Sequence, residues 1–134
     1  MQGGCLCGAV RYRLESEPYD AGWCHCRTCQ LNSGSPAMAF ASVPASDFVF
    51  TAGEDEVGRF ASSETGHRLF CSRCGTPLLM RDDAAPATVD FSLATLDRPE
   101  TVTPSFHIFY ASHIGWAPAT DDLPLYPRTR REGL

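Results

Sequence analysis

The chain has 134 residues, 43% of them hydrophobic and 20% charged, and a formal net charge of −5. That length suits one domain able to bury roughly two-thirds of its unfolded surface. No apolar run approaches the ~20 residues needed to cross a bilayer, and the acidic balance argues against a broad nucleic-acid surface, where phosphates demand clustered cations.

All 11 cationic side chains are Arg, which excludes Schiff-base chemistry and a lysine general base. The start, Met1-Gln2-Gly3-Gly4-Cys5, lacks the basic-then-apolar pattern of a secretory leader, so a reducing cytoplasm is the expected setting. The first element is a strand in which Val10, Tyr12 and Leu14 alternate with Arg11, Arg13 and Glu15. A short helical turn is predicted over Arg27 to Ser33. Strands follow at Phe48–Phe50, Arg68–Phe70 and Pro77–Met80. Two more are predicted where Val89, Phe91 and Leu93 alternate with Asp90 and Ser92, and where Phe106, Ile108 and Tyr110 alternate with His107 and Phe109. Pro44, Gly53, Gly58, Gly66, Pro86, Pro99 and Pro104 read as breakers between them. Trp116 and the 106–110 aromatics read as packing, and Arg128, Arg130 and Arg131 as a solvated basic tail. The expectation is one mainly β domain over residues 1–134, built of many short strands.

Seven cysteines fall into three tight groups: Cys5-x-Cys7, Cys24-x-Cys26-x-x-Cys29 and Cys71-x-x-Cys74. An odd count in a reducing compartment points to metal rather than disulfides. Zinc favours a tetrahedron and thiolate donors, so two pairs complete one closed site and three thiols remain for a second. Gly8 and Gly75 follow the last thiol of the first and third groups, where a positive φ lets backbone N–H groups turn toward sulfur. Cys24 and Cys26 meeting Cys71 and Cys74 is an alternative pairing. In the central group, three thiolates within one turn cap one face of an ion and leave a position open. That position is closed instead if His25, His67, His107, His113 or a carboxylate reaches it.

The runs Gly3-Gly4-Cys5-Leu6-Cys7-Gly8-Ala9-Val10-Arg11-Tyr12, Cys24-His25-Cys26-x-x-Cys29 and Phe70-Cys71-Ser72-Arg73-Cys74-Gly75 resemble the glutathione-dependent formaldehyde-activating (GFA) family. Leu96-Asp97, His107-Ile108, Trp116 and Asp121-Asp122-Leu123-Pro124 extend the resemblance over nearly the whole chain. It implies an Mss4-like β fold around structural zinc. It also implies that Cys5, Cys7, Cys71 and Cys74 hold that zinc, while Cys24, Cys26 and Cys29 hold a second, catalytic and exchangeable one. The implied activity is carbon–sulfur lysis of small thiol adducts, with glutathione and formaldehyde or a similar aldehyde as partners. The chain departs from the family at Gln30, where members commonly carry Arg, and over Gly34–Met38. Arg27 or Arg68 would then supply the missing cation. His25, His67, His107, Asp97 and a zinc-bound water are the candidate proton carriers. The alternative function is a non-catalytic zinc-binding or protein-interaction module.

Overall fold

The computed structural model describes residues 1–132. In chain order the elements are β1 (Gln2–Gly4), β2 (Arg11–Leu14), β3 (Tyr19–Cys24), α1 (Arg27–Ser33), β4 (Met38–Pro44) and β5 (Phe48–Ala52). There follow β6 (Val57–Ala61), β7 (Gly66–Cys71), β8 (Pro77–Asp82), β9 (Thr88–Ser92) and β10 (His107–Ile108). The fold is mainly β. A small sheet takes the order β1-β2-β5 and a large one the order β10-β3-β4-β9-β8-β7-β6. Every pairing is antiparallel except β10 on β3. No helix of the described residues is long and apolar enough to cross a membrane.

Side chains of adjacent paired residues share one face of a sheet, so each transverse row has a single fate. The row Leu69–Leu79–Phe91–Ala41 runs across β7, β8, β9 and β4 and is buried throughout. From β2, Tyr12 and Leu14 point into the same core, while Arg11 and Arg13 face outward. Tyr12 stacks on Phe48 at 4.5 Å, and its hydroxyl meets Thr95 Oγ1 at 2.7 Å. Burying side chains of this size stabilises by roughly 1.5–3 kcal/mol each. The next row, Arg68–Met80–Asp90–Ser42, faces the other way.

Four strands carry no alternation that a sequence reading can use. Tyr19–Cys24 mixes polar and apolar residues across a register shift, Met38–Pro44 is largely buried, and β1 has only 3 residues. Gly58, read as a breaker, sits inside the edge strand β6. The strand predicted over 106–110 stops after Ile108, because Phe109 adopts a left-handed φ of 53° and the chain turns. Trp116 is 76% exposed rather than packed. The basic tail is not simply solvated: Arg130 pairs with Asp20 at 2.7 Å and lies 4.2 Å over the Phe106 ring.

Gly53 fastens β5 to the turn that begins β2. Its φ is +71°, and a Cβ there would collide with the Ala9 carbonyl oxygen. Gly34 has a φ of +66° but open space around it. Gly53→Ala is therefore expected to lose roughly 2 kcal/mol or more, against about 1 kcal/mol for Gly34→Ala. Urea denaturation of both variants reads the difference; equal losses would mean that the Ala9 turn gives way freely.

Candidate metal centres and their cleft

The turn after β1 and the turn after β7 meet. In the first, Cys5 N–H donates to Val10 O at 3.1 Å and Gly8 N–H donates to Cys5 O at 3.1 Å. In the second, Cys71 N–H donates to Thr76 O at 3.0 Å and Gly75 N–H donates to Cys71 O at 2.8 Å. Gly8 and Gly75 have φ of 80° and 82°, the left-handed values such a turn needs. Both turns aim their thiols at one point, where the Cys5, Cys7, Cys71 and Cys74 sulfurs all lie within 4.8 Å of one another. Sulfur separations are 3.6 Å for Cys5–Cys7 and 3.8 Å for Cys7–Cys71. A tetrahedron with zinc–sulfur bonds of about 2.3 Å has edges of about 3.8 Å, so this donor set fits zinc. Val10 N–H donates to Cys5 Sγ at 3.2 Å, and Leu6 N–H holds the Thr76 hydroxyl, which lies 3.2 Å from Cys74 Sγ. The Thr76 side chain and backbone hold the Cys74 thiol down at about 5.

The second cluster comes from one continuous stretch. Cys24 ends β3, Cys26 caps α1 by accepting Cys29 N–H at 3.3 Å, and Cys29 lies in the first turn of that helix. Their sulfurs also lie within 4.8 Å of one another. Among the described residues no further His, Cys, Asp or Glu donor joins them at that distance. The three thiols differ sharply in acidity. Cys24 is pushed up by the thiols of Cys26 and Cys29 and by burial, whereas the thiols of Cys24 and Cys29 pull Cys26 far down. Such a group settles on one negative charge until a cation permits more. The cation at hand is Arg68, whose Nη1–H donates to Cys29 Sγ at 3.4 Å. The triad lies at the wall of a cleft of about 530 Å³, with Phe40, Met80, Ile108 and Phe109 on its apolar side. Ile108 and Phe109 thus line the site as well as packing behind it.

The other candidates are dispersed. His25 is 4% exposed and faces away from the cleft; its Nε2 lies 2.8 Å from His107 Nδ1. His107 Nε2 lies 3.1 Å from both Asp121 oxygens, and a carboxylate only accepts, so His107 donates there and His25 donates to His107. Burial and the neighbouring His107 push His25 down to about 4, so it stays neutral. His67 lines the cleft, but its Nε2 is engaged by Asp83 at 2.7 Å and its Nδ1 is buried without a partner. His113 Nδ1 donates to Tyr110 O at 2.7 Å. Asp97 pairs with Arg11 and borders a different hollow, of about 510 Å³, beside Met1 and Gln2. Gln30 is not a lost substrate contact: it is buried and donates to the His25 and Ser112 carbonyls at 2.9 and 3.1 Å. Arg27 spends its guanidinium on Gln30 Oε1 at 3.3 Å, which leaves Arg68 as the cation at the triad. Sequence reasoning missed Asp90, a carboxyl of the cleft wall whose only signal was its place in an alternating strand.

Among known proteins, an uncharacterized lyase of Schizosaccharomyces pombe is 36% identical over 77 residues, 58% of this chain and 54% of that protein. A "Putative glutathione-dependent formaldehyde-activating enzyme" of Halomonas elongata is 29% identical over 103 residues, 72% of this chain and 66% of that protein. The match spans less than two-thirds of the length of either relative. A crystal structure of a Rhodobacter sphaeroides protein shares the fold, with a TM-score of 0.64 at 22% identity over 93% of this chain and 99% of that one. The family profile of the glutathione-dependent formaldehyde-activating enzymes matches residues 1–112, a span that holds all 7 cysteines. The chain belongs to the glutathione-dependent formaldehyde-activating enzyme family.

Proposed function

We propose that this protein is a carbon–sulfur lyase acting on adducts of a small thiol, such as glutathione, with formaldehyde or a similar aldehyde. Cys5, Cys7, Cys71 and Cys74 would hold a structural zinc, and Cys24, Cys26 and Cys29 a second, exchangeable one. The observation that carries this reading is the three-thiol cluster at the cleft wall, with no fourth His, Cys, Asp or Glu donor beside it among the described residues and with Arg68 against Cys29. Family membership and the names of the relatives support it. A zinc ion bound by the triad would supply Lewis acidity that favours a substrate thiolate over its thiol.

The chain's own residues do the rest. Cys24, Cys26 and Cys29 approach from a single segment and leave their far side to the cleft. Arg68 offsets negative charge beside Cys29 and favours a sulfur that arrives or leaves as an anion. The His25–His107–Asp121 chain braces the loop carrying Cys24 and Cys26 from behind. Phe40, Met80, Ile108 and Phe109 exclude water from the reacting carbon. An interaction module would be favoured by a fourth protein donor on the triad.

Metal analysis is expected to find zinc at both clusters, with Cys26→Ser losing one ion while keeping a cooperative melt. Cys71→Ser, by contrast, should lose the cooperative melt, since metal binding there is folding energy. A single zinc in the intact protein, unchanged in Cys26→Ser, removes the second centre. Glutathione titrated calorimetrically into zinc-loaded protein should bind, with no heat from Cys29→Ser and about tenfold weaker affinity in Arg68→Ala, a loss of roughly 1.4 kcal/mol. Wild-type protein silent toward glutathione and other small thiols would favour the module.

A further inference from the structure

Splitting a hydroxymethyl thioether requires a group that takes the hydroxyl proton, and the cleft wall offers few. His67 has both ring nitrogens committed or buried, Asp82 is exposed and caps the turn at Ala84, and Arg68 and Arg81 carry permanent charge. Asp90 differs from all of these. Strand pairing places it in the row Arg68–Met80–Asp90–Ser42, on the cleft face of the large sheet. Arg68 in that row touches Cys29, and Asp90 stands two strand spacings along, roughly 10 Å. The triad, Arg68 and Asp90 therefore line one cleft, which an adduct with its sulfur at the triad would share with this carboxyl.

Ser42 Oγ–H donates to Asp90 Oδ1 at 2.6 Å, and among the described residues no hydrogen bond takes up Oδ2. Burial holds this carboxyl above its ordinary 3.8, and Asp20 on β3 adds to the effect; Ser42 on β4 and Arg68 on β7 oppose it, while Met80 on β8 is neutral. A half-buried carboxyl that lines a cleft and has one oxygen without a hydrogen bond among the described residues suits proton transfer better than it suits stability.

We propose that Asp90 is the proton acceptor for the adduct hydroxyl, a catalytic residue within the lyase reading above and resting on it. In cleavage the hydroxyl proton passes to Asp90 Oδ2, and the oxygen's electrons form the carbonyl. The carbon–sulfur bond then breaks with its electron pair on sulfur. In the reverse direction Asp90 returns the proton to the aldehyde oxygen as the thiolate adds to carbon. Nothing is oxidised or reduced.

The test compares zinc-loaded wild type with Asp90→Asn for glutathione binding by calorimetry and for turnover of S-hydroxymethylglutathione across pH. The expected result is glutathione affinity within about threefold of wild type and kcat lower by about 100-fold or more, with the rising limb of the pH profile gone. An Asp90→Asn that turns over at wild-type speed overturns the assignment. Ser42→Ala gives a second reading in case Asn disturbs the sheet. Ser42 favours the charged carboxylate, so its removal raises the Asp90 pKa and moves the limb to higher pH with the plateau largely kept; an unmoved limb also overturns the assignment. Wild-type protein that binds glutathione but turns over no adduct sinks the lyase reading and this proposal together. A working wild type with an equally fast Asp90→Asn sinks this proposal alone.

Discussion

The structure depends on the meeting of two turns 64 residues apart, where Cys7 and Cys71 come together. One turn leaves the small sheet and the other ends β7 of the large sheet, so the four sulfurs join both sheets at one point. Residues alternate faces along β7: Leu69 and Cys71 point into the core and the thiol cluster, and Arg68 points into the cleft. A register slip of one residue would exchange those faces and withdraw Arg68 from Cys29. Holding Cys71 therefore also aims Arg68. The three-thiol site borrows its geometry from the four-thiol site through a single strand.

Much of this was legible in the residues. The alternation at Tyr12 and Leu14 and the buried partners Leu69, Leu79 and Phe91 gave strands of the right phase, because one face of each is core. The cysteine spacings gave the grouping, since thiols separated by one turn cannot diverge far. What stayed hidden depends on partners distant in sequence. β4 lies between β3 and β9 in the middle of the large sheet, so it carries no clean alternation, and β6 is an edge strand that tolerates Gly58. Gln30 looked like a missing arginine of the site, yet burial shows it tying α1 to the 110–112 turn. An alternating strand marks Asp90 as off the core face, but periodicity cannot say whether that face meets bulk water or a cleft.

The histidines show the same limit from the other side. Four were available, and none presents a free nitrogen to the triad among the described residues. Sequence position suggested His25 because it sits between two cysteines. Along the chain at the end of β3, however, side chains alternate, so when Cys24 and Cys26 face one way His25 faces the other. There it finds His107 rather than a ligand site, and Asp121 fixes the tautomer of both rings. A buried, hydrogen-bonded imidazole pair is a stiff support for a short loop that must hold two sulfurs in place.

The difference between the two sulfur clusters follows from how each is assembled. Four donors from two opposed turns surround a point, because each turn covers the side the other leaves bare. Three donors from the single stretch 24–29 all approach from one side, and the opposite side belongs to whatever the large sheet presents. Beside Cys29 the sheet presents a guanidinium, which has no lone pair to give a metal and attracts an anion. In the proposed reading, Arg68 beside Cys29 favours a substrate that brings its own thiolate. In the proposed reading, openness at this centre is a consequence of strand register, and it would be lost by any change that put a sulfur or an imidazole where Arg68 stands.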